Sequence, residues 1–221
     1  MAGAAAFFDL DRTLIRRSSA LALAPAFRAA GLISRRQLAK AAAWQALFVL
    51  RGASHDAVRR AAEDGLVVLR GFAPAELRAL VAGSMERVLR PLVYAESLDL
   101  VERHRRRGEP VYIVSATLQE IVEAIADDLG FDGALGTVCE VVDGRYTGRA
   151  VRPLHADNKA RAIRDLDHDL RVSTAYSDSH TDLPFLEAVG FPVCVNPDRA
   201  LRRIAAEREW PVLRFGNRRA A

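Results

Sequence analysis

Cysteine and lysine are both rare in this chain of 221 residues. The two cysteines, Cys139 and Cys194, lie in separate apolar stretches and form no Cys-x-x-Cys or Cys/His pattern, so the sequence contains no common zinc motif. Such cysteines are typical of buried free thiols in a reducing compartment. Lys40 and Lys159 are the only lysines, so nearly all of the positive charge comes from arginine.

Long apolar runs and nucleic-acid-binding patterns are also missing. No segment reaches the roughly 20 consecutive apolar residues that a membrane span requires. The start, from Met1 to Phe8, has no positive residue before its apolar run and is interrupted by Asp9, unlike a secretion signal. The net charge of +4 is spread over scattered arginines, without a recognition helix or a platform of aromatic residues. We therefore expect a cytoplasmic protein without stable membrane insertion or a nucleic-acid partner, as a monomer or homodimer.

The region from Arg16 to Pro91 is rich in Ala, Leu and Arg and predicts helices almost exclusively. Four helices are predicted, with serine or a first-turn proline at their starts and glycine after some of their ends. Four helices with short connections can form a small bundle. Trp44 and Phe48 share one face of the second helix, which favours the bundle core over a wall facing a substrate. The apolar stretch 41–50 favours burial over contact with lipid. The predicted helices run from Ser18 or Ser19 to Ala30, Ser34 to Leu50, Ser54 to about Leu69, and Pro74 to Leu89.

The rest of the chain alternates between helix and strand patterns. Such alternation predicts an α/β fold, a Rossmann-like, doubly wound parallel sheet with helices on both faces. We expect residues 1–15 and 92–221 to form this core domain, and residues 16–91 to form a helical domain inserted over the carboxyl ends of the strands. The predicted strands are Ala4 to Phe8, Pro110 to Val114, Val172 to Tyr176 and Pro192 to Val195, with a hairpin of Val138 to Val142 and Arg145 to Arg149 around Asp143-Gly144.

Polar side chains follow several of these strands. Asp9, Asp11 and Thr13 come directly after the first strand, and Ser115 ends the second. Ligands in open α/β sheets bind at the carboxyl ends of strands, so these groups should meet at one edge. The same edge is expected to receive Lys159 near a helix start, and Asp178 and Asp182 after the third parallel strand.

Clustered carboxylates need a counter-charge. Mg²⁺ takes oxygen ligands and leaves room for substrate phosphate in its shell, while a lysine supplies a point charge for phosphate oxygens. One carboxylate can attack phosphorus, and a second, two residues on, can move the proton of the leaving oxygen. Hydroxyl and lysine donors can hold the other phosphate oxygens. The pattern therefore predicts phosphoryl transfer.

The order of these motifs resembles the haloacid dehalogenase (HAD) superfamily. The resemblance rests on the Asp-x-Asp-x-Thr run, the strand-end Ser115, Lys159 and the Asp-x-x-x-Asp run, over nearly the whole chain. The helical insertion resembles a type C1, four-helix cap. The stretches around Phe7, Val114 and Tyr176 are similar to the phosphoserine-phosphatase-like branch, subfamily IB.

The resemblance implies a role for each motif residue. Asp9 would be the nucleophile, Asp11 the general acid/base, and Lys159 would steady Asp9 and the transferred phosphate. Thr13, Ser115 and the adjoining Ala116 would contact the phosphoryl group. Mg²⁺ would be held by Asp9, the Asp11 backbone carbonyl and Asp178, with Asp182 in support. The implied activity is hydrolysis of a small phosphate monoester through an aspartyl-phosphate.

Three positions depart from the family pattern. Ser18 stands where phosphoserine phosphatases have a Glu for the substrate amine, which argues against phosphoserine as the substrate. Arg12 replaces a small residue, and either reaches the distal group of the substrate or is solvated. Ser179 replaces the usual Gly after the metal Asp, a mild change.

Two other functions use similar residues. A phosphomutase or phosphotransferase would pass the phosphoryl group to a sugar instead of water, but mutases more often carry a different cap. A receiver-like signalling protein would also combine clustered Asp, Ser/Thr and Lys, but it lacks an acid at the position of Asp11 and a large inserted cap. Amino-alcohol, histidinol-like, sugar and lipid phosphates all remain candidate substrates.

Overall fold

The computed structural model of the protein describes residues 3–33, 36 and 66–216. Hydrogen bonding joins the strands in these residues into one seven-stranded sheet, in the order β4-β3-β2-β1-β5-β6-β7. The β3–β4 pair is antiparallel and the other five pairs are parallel. The predicted α/β fold is thus confirmed. The strands are β1 (Ala6–Phe8), β2 (Val111–Leu118), β3 (Gly133–Val142), β4 (Arg145–Arg152), β5 (Thr174–Ser177), β6 (Phe191–Val195) and β7 (Val212–Leu213).

Helices cover both faces of the sheet. Within the described residues they are α1 (Ser19–Ala29), α2 (Pro74–Ser84), α3 (Ala95–Arg106), α4 (Gln119–Leu129), α5 (Asp157–Arg164), α6 (Leu183–Glu187) and α7 (Arg199–Glu207). Shorter helical turns lie at Met85–Leu89, Arg90–Leu92, Leu170–Val172 and His180–Asp182. Among the helices of these segments, none has the length and apolar character needed to cross a membrane.

Part of the predicted helical insertion lies outside the described residues. This applies to the helix from Ser34 to Leu50, with Trp44, Phe48 and the apolar stretch 41–50, and to most of the helix from Ser54 to Leu69. The first predicted helix is present as α1, and the fourth as α2 followed by a π-helical turn, Met85–Leu89. The division into a core and an inserted domain stays a prediction.

Strand β1 occupies the centre of the sheet because its residues are apolar on both sides. Phe8 pairs in register with Ile113 of β2 and with Tyr176 of β5. Alternate residues of β1 point to opposite faces: Phe8 belongs to the core that includes residues of α1 to α4, and Phe7 to the core that includes residues of α5 to α7. This burial on both faces is typical of a parallel strand and places the end of β1 in the middle of the sheet edge.

Strand β2 is longer than predicted. The expectation that it ends at Ser115 is wrong, because pairing with β3 continues through Leu118, opposite Thr137. The register shifts between Val114 and Leu118, so Ser115 lies at an irregular place within the strand. The residues from Ser115 to Thr117 are small, and two of the three are polar, so the apolar pattern of the strand stops before them although its backbone pairing continues.

The described part of the predicted insertion contacts the rest of the chain at several places, and two sets of contacts hold helix α2 and the segment before it. The backbone of Tyr146 in β4 bonds to Gly71 and Phe72, at 2.9 Å and 2.8 Å. Arg78 of α2 pairs with Glu123 and Asp127 of α4. Helix α2 is therefore docked along the core helix that follows β2.

Both cysteines are buried and free, as the sequence predicts. Burial raises the pKa of Cys139 and of Cys194 to about 11. Such thiols stay protonated and unreactive at neutral pH.

Candidate active site

Asp9 directly follows the central strand and remains tied to the sheet. Its N–H donates to the carbonyl of Tyr176 at 2.9 Å. The preceding Phe8 stacks on the ring of Tyr176, with 4.4 Å between the centroids. The Asp9 side chain itself is buried. The sheet thus fixes this carboxylate at the carboxyl edge, where the sequence predicts it.

Lys159, in the first turn of α5, bridges two carboxylates across this edge. Its Nζ lies 2.6 Å from Oδ1 of Asp9 and 2.7 Å from Oδ2 of Asp182. Ser177, the last residue of β5, donates its hydroxyl to the same Oδ2 of Asp182 at 2.7 Å. All four side chains are buried. The lysine is therefore held in one position by groups from two separate strand ends.

The buried acids oppose each other's ionisation. Burial raises the pKa of Asp9 to about 7, with Asp182 and Asp11 adding to the rise, although the contact with Lys159 works in the opposite direction. Burial, Asp9 and Asp182 together hold the pKa of Asp178 well above its usual range. Burial alone would lower the pKa of Lys159, but the carboxylates of Asp182 and Asp9 raise it. Four acids face Lys159 here, and Arg12 adds a second positive charge near Asp178, so the acids still outnumber the cations.

The Asp11 side chain is bonded to the start of helix α1. The chain makes a tight turn after β1, in which the N–H groups of Leu14 and Ile15 both donate to the carbonyl of Leu10. The Asp11 Oδ1 accepts a hydrogen bond from the backbone N–H of Ser19 at 2.8 Å. Burial raises the pKa of Asp11, while hydrogen bonds from Ser19 and Ser18 lower it. This carboxyl group therefore has hydrogen-bond partners different from those of Asp9.

Two buried hydroxyl groups lie in the turn after β1 and in the neighbouring strand β2. Thr13 is 1% exposed, and its Oγ1 has no hydrogen-bond partner within the described part of the chain. Ser115 is 3% exposed, and its Oγ accepts from the N–H of Thr117 at 3.2 Å, which leaves its own proton for another acceptor. Ala116 is exposed beside it, with its carbonyl bonded by the hydroxyl of Thr137 at 2.8 Å. Buried donors without acceptors are unfavourable, so these hydroxyls suit an anionic ligand.

The donor set of the site fits a hard cation. Asp9 and Asp178 are buried carboxylates that repel each other, and an Asp-rich oxygen site is what Mg²⁺ prefers. Within residues 3–33, 36 and 66–216, no three His, Cys, Asp or Glu side chains cluster closely enough to enclose a metal by themselves. The predicted set needs fewer, because it combines two carboxylates with the Asp11 carbonyl. Asp182 contacts Lys159 and Ser177, and its supporting role at the metal stays a prediction.

Arg12 and Ser18 lie next to the acids. Arg12 has a left-handed backbone with φ of 63°, a conformation that favours glycine, and its charge lowers the pKa of Asp178 against the larger effect of burial. Ser18 is half-buried, and its hydroxyl acts on Asp11. The structure thus brings both residues to the site, and contact with a substrate remains a prediction for each.

The sequence analysis did not predict two residues that contact the acids of the site. Ser177 bonds to Asp182, and Ser19 bonds to Asp11. The alternation along β5 could have identified Ser177, because it points to the opposite face from Tyr176 and directly precedes Asp178. No comparable pattern marks Ser19, whose bond to Asp11 depends on how α1 is placed relative to the turn after β1.

A model of the haloacid dehalogenase-like hydrolase family matches residues 6–187. A probable phosphatase of Mycobacterium tuberculosis is 44% identical over 215 residues, which cover 96% of this chain and 75% of that protein. A phosphoserine phosphatase of the same organism is 38% identical over 218 residues, or 96% of this chain and 71% of that protein.

The fold is also found in a solved structure. A protein of unknown function from Bordetella pertussis superposes with a TM-score of 0.80 at 30% identity, over 96% of this chain and 99% of that one. Together with the family match, which includes Asp9, Asp11, Lys159 and Asp178, these similarities confirm that the protein is a hydrolase. The chain belongs to the haloacid dehalogenase-like hydrolase family.

Proposed function

We propose that this protein is a Mg²⁺-dependent phosphomonoester hydrolase that works through an aspartyl-phosphate on Asp9. The observation that carries the proposal is the Lys159 bridge, which holds the buried Asp9 carboxylate at the end of the central strand. Family membership argues for an enzyme and against a receiver-like signalling protein. Water is the proposed acceptor, rather than a sugar, because the similar proteins from M. tuberculosis are named phosphatases.

In the first step, a carboxylate oxygen of Asp9 attacks phosphorus while the bond from phosphorus to the leaving oxygen breaks. Asp11 gives its proton to that oxygen, so the product leaves as a neutral alcohol. Lys159 neutralises charge on the transferred group and keeps Asp9 in place. The free hydroxyl of Thr13 and that of Ser115 are the proposed donors to the phosphoryl oxygens.

In the second step, water attacks phosphorus and the acyl phosphate bond to Asp9 breaks. Asp11, now ionised, accepts a proton from that water, and inorganic phosphate departs. Mg²⁺ would be held by Asp9, Asp178 and the Asp11 carbonyl, and when bound it neutralises phosphate charge and orients the phosphoryl group. Asp182 supports Lys159 in both steps.

The proposed substrate is a small phosphorylated metabolite other than phosphoserine. Ser18 carries no charge with which to pair an ammonium group, and its hydroxyl acts on Asp11. The buried free cysteines fit a reducing, cytoplasmic location for such a metabolic enzyme.

The test is a panel of phosphate monoesters, phosphoserine included, assayed for phosphate release with Mg²⁺ and with a chelator. We expect turnover that requires Mg²⁺, and acid quenching should trap one phosphoryl group on the peptide that contains Asp9, detectable by mass spectrometry. Metal-independent turnover, or a phosphoryl group on another residue, would contradict the mechanism. Preferred turnover of phosphoserine would overturn the substrate assignment alone.

A further inference from the structure

The residue that orients Asp11 belongs to the insertion and not to the sheet. Asp11 and Asp9 are two positions apart, yet the hydrogen bonds of Asp9 run to β5 and α5, while the N–H bonded to Asp11 comes from Ser19 at the start of α1. Ser19 is fully buried although it is a small polar residue at a helix start. A polar side chain so completely buried calls for partners.

Ser19 has two such partners, one on each side. Its backbone N–H lies 2.8 Å from Oδ1 of Asp11. Its hydroxyl lies 3.3 Å from the hydroxyl of Thr117 in β2, and the N–H of Thr117 donates to Oγ of Ser115 at 3.2 Å. A continuous chain of hydrogen bonds thus joins Asp11, through Ser19 and Thr117, to Ser115.

The helix start strengthens the interaction with Asp11. The first N–H groups of a helix lack partners inside the helix, and the helix dipole favours negative charge near them. Ser19 is the first residue of α1, which has 11 residues. The N–H at this position therefore suits the carboxylate that forms when Asp11 has given up its proton.

We propose that Ser19 is a positioning residue for the acid/base Asp11: its N–H orients the carboxyl group, and its hydroxyl anchors the first turn of α1 to Thr117 at the end of β2. The proposal rests on the proposed function, because it concerns proton transfer to the leaving group. It implies that proton transfer depends on how the insertion docks against the core, whereas nucleophilic attack by Asp9 does not.

The sharpest test is Ser19→Pro, which removes the N–H donor together with the hydroxyl. Proline is favoured in the first turn of a helix, and it requires an extended residue before it. Ser18 already has φ of −65° and ψ of 125°, so the backbone accepts the ring. Ala95→Pro is the matched control, because it places proline at the first position of α3 after Tyr94, whose φ of −74° and ψ of 128° are nearly the same.

The readout is kcat/KM for an alkyl phosphate and for p-nitrophenyl phosphate. An alkyl oxygen must be protonated as it leaves, whereas nitrophenolate leaves as a stable anion, and kcat/KM reports only the steps up to that departure. For Ser19→Pro we expect a loss of about 10²-fold with the alkyl phosphate, the lower end for acid catalysis, and less than about 3-fold with p-nitrophenyl phosphate. Ala95→Pro should leave the ratio of the two values unchanged.

Ser19→Ala is the second variant, because it keeps the N–H and deletes the hydroxyl, which contacts Thr117 and also acts on Asp11. It should also lower the ratio, by about 5- to 10-fold, since one neutral hydrogen bond is worth about 1 kcal/mol. Equal losses with both substrates, or an unchanged ratio in both Ser19 variants, would overturn the positioning role. Failure of the unaltered enzyme to hydrolyse either substrate with Mg²⁺ would instead refute the proposed function.

Discussion

Asp9 and Asp11 are neighbours in the sequence but are supported by different parts of the molecule. Asp9 is fixed by the sheet through Tyr176 and by Lys159 of α5. Asp11 is bonded by Ser19, the first residue of α1. The difference matters because a nucleophile needs one position throughout, whereas an acid/base must change its protonation state and its partner between steps. Because their contacts differ, the proposed nucleophile Asp9 and the proposed acid/base Asp11 can be altered separately.

The largest expected effect separates the two acids directly. Asp9→Asn should lower hydrolysis of every phosphate monoester by at least about 10⁴-fold, because the proposed covalent intermediate forms on the Asp9 carboxylate. Asp11→Asn should lower kcat/KM for alkyl phosphates by about 10²- to 10⁴-fold and affect p-nitrophenyl phosphate far less. Steady-state assays with both substrate types test this, and full activity in Asp9→Asn would remove the nucleophile from the mechanism.

The second effect concerns the support of Asp9 by the core. Lys159→Met leaves the buried Asp9 and Asp182 without their shared cation, which should destabilise the protein by about 3–5 kcal/mol. Chemical denaturation measures the loss. Arg149→Met is the control, since it breaks an exposed pair with Glu140 and should cost less than about 1 kcal/mol.

A double variant distinguishes charge from packing at the same place. Lys159→Met combined with Asp182→Asn removes one positive and one negative group, so part of the stability should return while activity stays low. If the double variant is no more stable than Lys159→Met, lost packing against Phe185, whose ring centroid lies 5.5 Å from the Lys159 Nζ, explains the effect instead.

The core-supported half of the site was the more predictable one. Asp9 and Asp178 follow apolar runs that end abruptly in acids, and the carboxyl ends of parallel strands meet at one edge. These local patterns were therefore enough to predict that Lys159, Asp9 and Asp182 lie at one edge of the sheet. In the structure, Lys159 contacts both acids.

The insertion-supported half was less predictable because its contacts are tertiary. Ser18 and Ser19 could be recognised as the start of a helix, but its placement against Asp11 and Thr117 is set by packing. The extension of β2 beyond Ser115 has the same origin, since it depends on pairing with β3 across an irregular register. Periodicity predicts an element but not the exact neighbour of its first residue.

The third effect tests whether Asp178 is a ligand of the proposed Mg²⁺. Its pKa lies well above the usual range because of burial and of Asp9 and Asp182, so the unfolded chain releases this proton at a lower pH than the folded protein. Without metal, this group therefore makes stability fall as pH rises above about 4. Asp178→Asn should raise Tm at pH 7.5 in chelator by about 2–4 °C, the shift for 1 kcal/mol in a domain of this size.

Magnesium should reverse the order of the Tm values of the unaltered protein and of Asp178→Asn. Mg²⁺ should raise Tm of the unaltered protein, because it binds the folded state, and should scarcely change that of Asp178→Asn. Asp143→Asn, in the exposed hairpin turn, is the control and should alter neither value. A metal response that survives Asp178→Asn would exclude Asp178 from the site.

The smallest expected effect concerns the hydroxyl group of Tyr176. Its hydroxyl bonds to Nε2 of the buried His104 at 2.7 Å, while its carbonyl accepts from Asp9. Tyr176→Phe keeps the stacked ring and the backbone, so it should cost about 1 kcal/mol of stability and leave kcat/KM within about 2-fold. Tyr112→Phe, which loses a less buried bond to His168, is the matched control.

His104, which bonds to Tyr176, should make the stability of the protein depend on pH separately from Asp178. Burial lowers the pKa of His104 below its ordinary 6.5, although Glu109 works against this, so the unfolded state binds the proton more readily. Stability from the neutral ring is complete above about pH 6.5 and is lost as pH falls towards the lowered pKa. When the pH falls from 7.5 to 5.5, the Tm of the unaltered protein should therefore fall by more than the Tm of a His104→Leu/Tyr176→Phe double variant. A constant difference would mean that His104 does not titrate in this range. A fall in kcat/KM in Tyr176→Phe would instead show that the position of Asp9 depends on side chains behind the sheet as well as on its backbone.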